Sequence, residues 1–438
     1  MNIGIIGGTK GLGKTLASYF KRENFNITIT GRDKKAGIKT AQELNVEFTT
    51  DNDYVASKSD ILIIAVPIAN TVDVIKDLAD KMKKESVMID VTSVKTKPTE
   101  AMKKYLSSDV EFIPTHPIFG PRTPGFEGQV IVLTPTVKGK WYPKIYNFLK
   151  EKNMRIIETT PEHHDNMMGI VQVLTHFSYI SIASTIEKLN INLKDAEDYE
   201  SPIYNLMIDT IARITSQNPY LTYSIQTEND NGVKIRQCFI DAACEIKDAL
   251  LREDKEEFRQ IAINAKKHLG DVKAALGRSD KAIEALSREE NHLYQSIGKE
   301  VGLQHIYSKK VHIGIIKELK DGFVIIDNGK NNKNSENKLK ISNIRILSKN
   351  EIFKWKKNNW KIYTESISCL FSKNSNSDII KDTLLKLPDI ISVKLTDTYD
   401  GPQIKDNKIS YTFEIKSFNK NAFNNVKNLI IGFGAKIR

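Results

Sequence analysis

Several side chains in this 438-residue chain are of types, and in places, that could bind and oxidise a small alcohol. His116 in THPIFGP follows an apolar run and precedes a loop shaped by proline and glycine, where a neutral imidazole can meet a hydroxyl and take its proton. Ser93 and Lys95 in DVTSVK close another apolar run, at a sheet edge where a nicotinamide or a substrate can be met. Arg213, within SPIYNLMIDTIARITSQNP at 201–219, offers a planar fork suited to a carboxylate, or a brace between two helices. The segment PEHHDNMM at 161–168 adds His163 and His164, and His176 follows. His164 stays open between chemistry and bracing a domain boundary. Arg122 and Arg236 are further cations whose charge alone assigns no role.

A second constellation sits at the start of the chain. The run IGII leads into Gly7, Gly8, Thr9, Lys10, Gly11, Leu12 and Gly13, and then into a helical pattern through Leu16, Ala17 and Phe20. Crowded glycines between a strand and a helix let the backbone approach a pyrophosphate, whose charge the helix N-terminus stabilises. Two registers compete. GxGxxG anchored on Gly8 and Gly13 puts Lys10 in the middle glycine's place, whereas Gly7, Gly11 and Gly13 spell GxxxGxG. The next apolar run ends in Thr30, Gly31 and Arg32, with Lys34 close by, where an NAD site typically carries an acid. Arg32 suits a 2′-phosphate, so NADP is the favoured cofactor; Asp33 next to it keeps NAD as the alternative. The cofactor set is therefore Gly7 to Gly13, Arg32 and Ser93. Three cysteines without a CxxC, and histidines without an HExxH, speak against disulfides and a metal site.

These residues need elements to hold them. Apolar runs at 3–6, 26–30, 60–66, 86–91, 110–115, 129–134 and 154–158 suit strands of a mostly parallel sheet. Residues 1–160 are expected to form a Rossmann-type α/β dinucleotide domain. Long helical patterns at 166–187, 201–216, 232–251, 254–268 and 270–298 predict an all-α substrate and dimerisation domain over 161–300. A small β-rich subdomain over 301–362, with a polar loop at 328–338, leads to a ferredoxin-like α+β module over 363–438 in βαββαβ order. The net charge of +11 is unevenly placed: residues 301–438 hold 25 Lys and Arg against 13 Asp and Glu, and the first 300 residues are near neutral. No stretch approaches the roughly 20 apolar residues of a membrane span. A reduced cytoplasmic protein, without a membrane partner, is expected.

The stretches DVTSVK, THPIFGP and PEHHDNMM, with His176 and 201–219, resemble the prephenate and arogenate dehydrogenase family over about residues 1–285. The resemblance implies NAD(P)-dependent oxidative decarboxylation of a cyclohexadienol in tyrosine biosynthesis, with prephenate as the lead substrate and arogenate as the alternative. It implies that His116 assists deprotonation of the substrate hydroxyl and that Ser93 lies beside that hydroxyl and the nicotinamide. Arg213 would clamp a substrate carboxylate, and His176 would line the helical-domain pocket. Residues 364–438, with Asp397, Tyr399, Gly401, Lys408, Ser410 and the closing Gly434, Ala435 and Arg438, resemble the anticodon-binding domain of bacterial-type phenylalanyl-tRNA synthetases. For this module regulation or assembly is the favoured role, and tRNA binding is permitted by the charge but not favoured. The competing whole-chain reading is an RNA-binding adaptor, which predicts RNA affinity without cofactor reduction.

Overall fold

The structure, a computed structural model, describes residues 1–438 except 124, 194, 196–198, 329–335 and 405–406. The chain forms two compact units, Met1–Val272 and Lys273–Arg438.

In the first unit, isoleucine-rich strands alternate with amphipathic helices: β1 (Asn2–Ile6), α1 (Gly11–Arg22), β2 (Asn26–Thr30), α2 (Lys34–Leu44), β3 (Glu47–Thr49), α3 (Asn52–Lys58), β4 (Ile61–Ile64), α4 (Thr71–Leu78), β5 (Val87–Asp90), α5 (Thr96–Tyr105) and β6 (Glu111–Phe112). They make a parallel sheet in the order β3-β2-β1-β4-β5-β6. Successive strand residues point to opposite faces, so each run feeds two cores. Ile61 and Ile63 join Ile3, Ile5, Val87 and Ile89 on one face, and Leu62 and Ile64 join Ile6 and Met88 on the other. Each such side chain contributes about 1.5–3 kcal/mol by leaving water. The strand order reverses between β1 and β4, which opens a crevice at their carboxyl ends.

The later strands depart from the single sheet expected over 1–160. Ile113 N still donates to Met88 O, but Pro114 has no N–H and ends the parallel ladder. A separate three-stranded sheet follows: β7 (Thr115–Pro117) is antiparallel to β8 (Val130–Leu133), which is parallel to β9 (Arg155–Glu158) beyond α6 (Trp141–Glu151). The short β3 was not among the expected runs.

After β9, Thr160 caps α7 (Pro161–Met168) by accepting from His163 N, with Pro161 in the first turn. A π-helical turn, Gly169–Leu174, joins it without a break to α8 (Thr175–Lys188). The continuous helix Pro161–Lys188 is long and apolar enough by length and composition to cross a bilayer, against expectation; its most apolar window has a mean hydropathy of 1.3 and is only 11% buried. Next come α9 (Pro202–Thr215), α10 (Pro219–Glu228), α11 (Gly232–Leu251) and α12 (Lys255–Lys267). Pro219 starts α10, where its missing N–H costs nothing.

The second unit begins at the second residue of α13 (Val272–Gln295), whose Leu293 is buried against β10 (Glu300–His305), β11 (Val311–Lys320), β12 (Phe323–Asp327), β13 (Glu336–Lys340) and β14 (Ile344–Ile346). Their sheet runs β13-β12-β11-β10-β14 and its pairs are antiparallel. Of the polar loop expected at 328–338, residues 329–335 lie outside the described residues, and Glu336 to Lys338 belong to a strand instead. Beyond α14 (Lys349–Asn359) follow β15 (Tyr363–Ser372), α15 (Ser377–Leu384), β16 (Ile390–Tyr399), β17 (Lys408–Ser417), α16 (Ala422–Gly432) and β18 (Lys436–Ile437), with sheet order β16-β17-β15-β18. Phe371, Phe413, Leu384 and Val426 pack between this sheet and its two helices.

Candidate active site

Polar groups converge at the carboxyl end of β5. Asp90 and Lys95 are wholly buried and ion-paired. Lys95 Nζ also donates to Thr115 O at 2.7 Å, while Thr115 Oγ1 donates to Asp90 O at 2.7 Å. The pair thus fastens β7 to β5 one residue before His116. Thr92 N donates to Asp90 Oδ2 at 3.1 Å; Asp90 Oδ1 is buried without a partner among the described residues. Burial pushes the Lys95 ammonium below its ordinary range, against the opposing pull of Asp90.

His116, 3% exposed, continues the network. His116 Nδ1 lies 2.9 Å from His164 Nε2, and His164 Nδ1 lies 2.7 Å from Asp165 Oδ1. The tautomers follow from the far end, because an ionised carboxylate only accepts. His164 Nδ1 must donate to Asp165, so His164 Nε2 accepts from His116 Nδ1–H, and His116 Nε2 keeps its lone pair. Gln172 Nε2, a donor on the π-helical turn, stands 3.4 Å from that lone pair. Neighbours tie this stretch down: Gln226 Nε2 donates to Val173 O on the turn and Asn229 Nδ2 to Asp165 O on α7. Asp165 is itself fixed by Lys95 N, Thr96 N and Thr96 Oγ1. Burial would raise its carboxyl, but the His164 and Thr96 hydrogen bonds hold it below the usual carboxylate value.

Burial first, then the proximity of His164 and Lys95, pushes His116 well below the ordinary imidazole value of 6.5. Burial also lowers His164, opposed by its bond to Asp165, and lowers His176. The neutral, proton-accepting form of His116 therefore persists through neutrality. A kcat/KM profile is expected to be flat there and to fall with acid only on a limb below 6.5. Stability carries the same sign: the unfolded histidines bind protons first, so the melting temperature should decline as pH drops below about 6.5. An activity limb centred above that value would contradict this electrostatic picture.

The glycine turn after β1 fits a dinucleotide. Gly7 has φ +85°, and a Cβ there would lie 2.5 Å from Ala65 O; one on Gly13 would lie 2.4 Å from Gly7 O. Gly7 and Gly13 are thus confined to glycine. Lys10 precedes α1 without a side-chain cap, leaving the first-turn N–H groups for an anion. Asp33 is engaged elsewhere: it caps α2 through Ala36 N at 3.0 Å and pairs with Lys10 at 3.2 Å. Arg32 beside it is exposed and makes no hydrogen bond or ion pair among the described residues.

Comparison with known proteins accords with this geometry. The family model described as prephenate dehydrogenase, nucleotide-binding domain, matches residues 16–158, and that of the prephenate dehydrogenase dimerization domain matches 160–262. The "Probable arogenate/prephenate dehydrogenase" of Methanocaldococcus jannaschii is 40% identical over 446 residues, covering 100% of this chain and 98% of its own length. The chain belongs to the prephenate/arogenate dehydrogenase family. The "T-protein" of Haemophilus influenzae is 26% identical over 267 residues, 56% of this chain and 66% of its own. A solved Corynebacterium glutamicum structure, titled as a prephenate dehydrogenase candidate, shares the fold at 19% identity and a TM-score of 0.50, over 61% of this chain and 87% of that one.

As a member of the prephenate/arogenate dehydrogenase family, the chain is an NAD(P)-dependent oxidoreductase. The family models match within residues 16–262, and the resemblance of 364–438 to an anticodon-binding domain gains no support from these comparisons. Not every expected site residue meets at His116. Ser93 is half-buried in the loop before α5, and His176 is half-buried on α8 with its Nδ1 unpartnered among the described residues. Arg213 is exposed on α9, and among the described residues no hydrogen bond or ion pair joins it to the histidine network. Arg236 donates to Gln226 O at 2.5 Å, a structural tie. Sequence reasoning missed Asp90, Asp165 and Gln172; the local signal was the adjacency of His164 and Asp165 in PEHHDNMM.

Proposed function

We propose that this enzyme oxidatively decarboxylates prephenate, with arogenate as the alternative substrate, and prefers NADP to NAD. The observation that supports it most is the Asp165–His164–His116 chain, which leaves a neutral, buried base at His116 Nε2. In this reading the substrate hydroxyl takes the place of the Gln172 amide as donor to that nitrogen, and His116 accepts its proton. Ser93 would lie beside the hydroxyl and the nicotinamide. When bound, the nicotinamide accepts a hydride from the carbon bearing the hydroxyl. The glycine turn would hold the pyrophosphate, and the carboxyl ends of β5 and β7 would place their side chains beside that carbon, which fixes the geometry. Loss of the ring carboxylate as carbon dioxide then completes an aromatic ring, which makes the oxidation essentially irreversible.

Arg213, with its guanidinium free of any acid among the described residues, would clamp a substrate carboxylate, and His176 would line the same pocket. Arg213→Ala is expected to raise the substrate KM by about 10–100-fold with little change in kcat, the worth of a charge-assisted hydrogen bond. Steady-state kinetics checks this. Arg32 and Lys34 suit a 2′-phosphate better than the occupied Asp33 suits ribose hydroxyls. Arg32→Ala should raise the KM for NADP by about tenfold or more and leave that for NAD unchanged. Equal turnover of the native enzyme with both cofactors would refute the preference. The substrate assignment is tested by a matrix of prephenate or arogenate with NADP or NAD.

We also infer a homodimer through the helical region. No side chain of α8 or α12 is fully buried within the chain, and Ile170, Val171, Ile180, Leu250 and Phe258 stand exposed. A partner subunit accounts for the apolar face of Pro161–Lys188 better than a membrane, because His164 and Asp165 on that helix belong to the site. Three unpaired cysteines suit a reducing cytoplasm. Residues 363–438 form a ferredoxin-like module in this reading, supported by the order β16-β17-β15-β18, and serve regulation or assembly rather than tRNA binding.

A further inference from the structure

The chemistry of the proposed reaction sets a constraint on protons. Hydride leaves the ring carbon with both electrons of its C–H bond and reduces the nicotinamide. The bond to the ring carboxylate breaks, carbon dioxide departs, and that electron pair enters the ring. The hydroxyl oxygen begins as an alcohol O–H and ends as a phenol O–H, so turnover leaves no proton to discard. A base that draws the proton away to speed hydride loss must return it.

The residues behind His116 have the form this requires. His116 and His164 are 3% and 1% exposed. Beyond them Asp165 offers two oxygens, and both are filled: Oδ1 accepts from His164 Nδ1 and Lys95 N, each at 2.7 Å, and Oδ2 accepts from Thr96 N at 2.9 Å and Thr96 Oγ1 at 2.6 Å. Four donors exhaust its roughly four lone-pair sites. A proton delivered to Asp165 would have to break a bond to the Lys95–Thr96 turn, so the chain of hydrogen bonds has a closed end.

We propose that His164 is a positioning residue which, with Asp165, forms a closed proton reservoir behind His116. The hydroxyl proton is shared by the two imidazoles while hydride and carbon dioxide leave, and returns to the same oxygen as the ring becomes aromatic. His164 fixes the tautomer that leaves His116 Nε2 free, and Asp165 stabilises the transient positive charge. The proposal rests on the dehydrogenase reading above.

Three measurements on the full-length enzyme test it. Nitrogen-15 NMR of labelled histidines should find both His116 and His164 protonated on Nδ1; His116 protonated on Nε2 instead overturns the arrangement. A single turnover in dilute buffer with a pH indicator should show reduced cofactor forming with no proton in solvent before the released carbon dioxide hydrates. A proton that appears in solvent as the cofactor is reduced and is taken up again as the ring becomes aromatic overturns the closed end. In His164→Gln, the amide oxygen can still accept from His116 Nδ1–H but cannot take the proton. Its kcat should fall about 100-fold, with a larger solvent isotope effect and a substrate KM within about threefold of native. A kcat within threefold of native, with an unchanged isotope effect, overturns the reservoir. Should this variant not fold, the two measurements on the native enzyme decide. Absence of reduced cofactor with either substrate would instead refute the dehydrogenase reading, while the tautomer measurement still judges the arrangement.

Discussion

Replacing His116 by asparagine is expected to lower kcat by about 10³-fold, within the usual span for removal of a general base, and to leave nucleotide affinity unchanged. The size of the effect follows from the surroundings. A buried imidazole held below 6.5 by burial, His164 and Lys95 is neutral when substrate arrives, and its Nδ1–H is already committed to His164. Asparagine can occupy the cavity and accept a hydrogen bond, but it cannot take a proton from the hydroxyl. In the proposed reading the nucleotide is held by the turn at Gly7 to Gly13, after a different strand, so titration of cofactor fluorescence should be native-like. A variant with native kcat would remove His116 from the chemistry.

The second large effect falls on stability. Lys95→Met strands Asp90 in a site with no solvent contact, and removal of one partner of such a pair costs about 3–5 kcal/mol. It also frees Thr115 O, which loses the donor that fastens β7 to β5. Activity should change in a diagnostic way: with the cation gone, the His116 and His164 pKa values rise, and the acid limb of kcat/KM moves to higher pH. The double variant Lys95→Met, Asp90→Leu should recover much of the lost stability, since an apolar pair of similar volume is often neutral or better in such a site. Denaturant unfolding of Lys95→Met, Asp90→Leu and the double variant measures this. Additive losses in the double variant would show that the pair is not coupled.

The parts of the site that could be read from the sequence are those whose partners are near in the chain. The glycine turn follows its strand at once, and DVTSVK and THPIFGP announce themselves by ending apolar runs. His164 stayed open because its partner His116 lies 48 residues away and only the fold brings their nitrogens to 2.9 Å. Gln172 carries no signal at all, since a π-helical turn has the same composition as the α-helix around it. Residues 336–338 of β13 fall within the expected loop because ENK is polar and sits at a sheet edge. Arg213 illustrates a further limit: the surroundings of a residue on helices that bury little within one chain depend on whatever covers them.

The most direct test of the central claim is the ratio of products from prephenate carrying a labelled ring carboxylate, turned over with NADP by the full-length enzyme. One labelled carbon dioxide per reduced cofactor, both slowed by the same factor in His116→Asn, is the predicted result. Reduced cofactor formed without carbon dioxide would make the enzyme a simple alcohol dehydrogenase and contradict oxidative decarboxylation at this site.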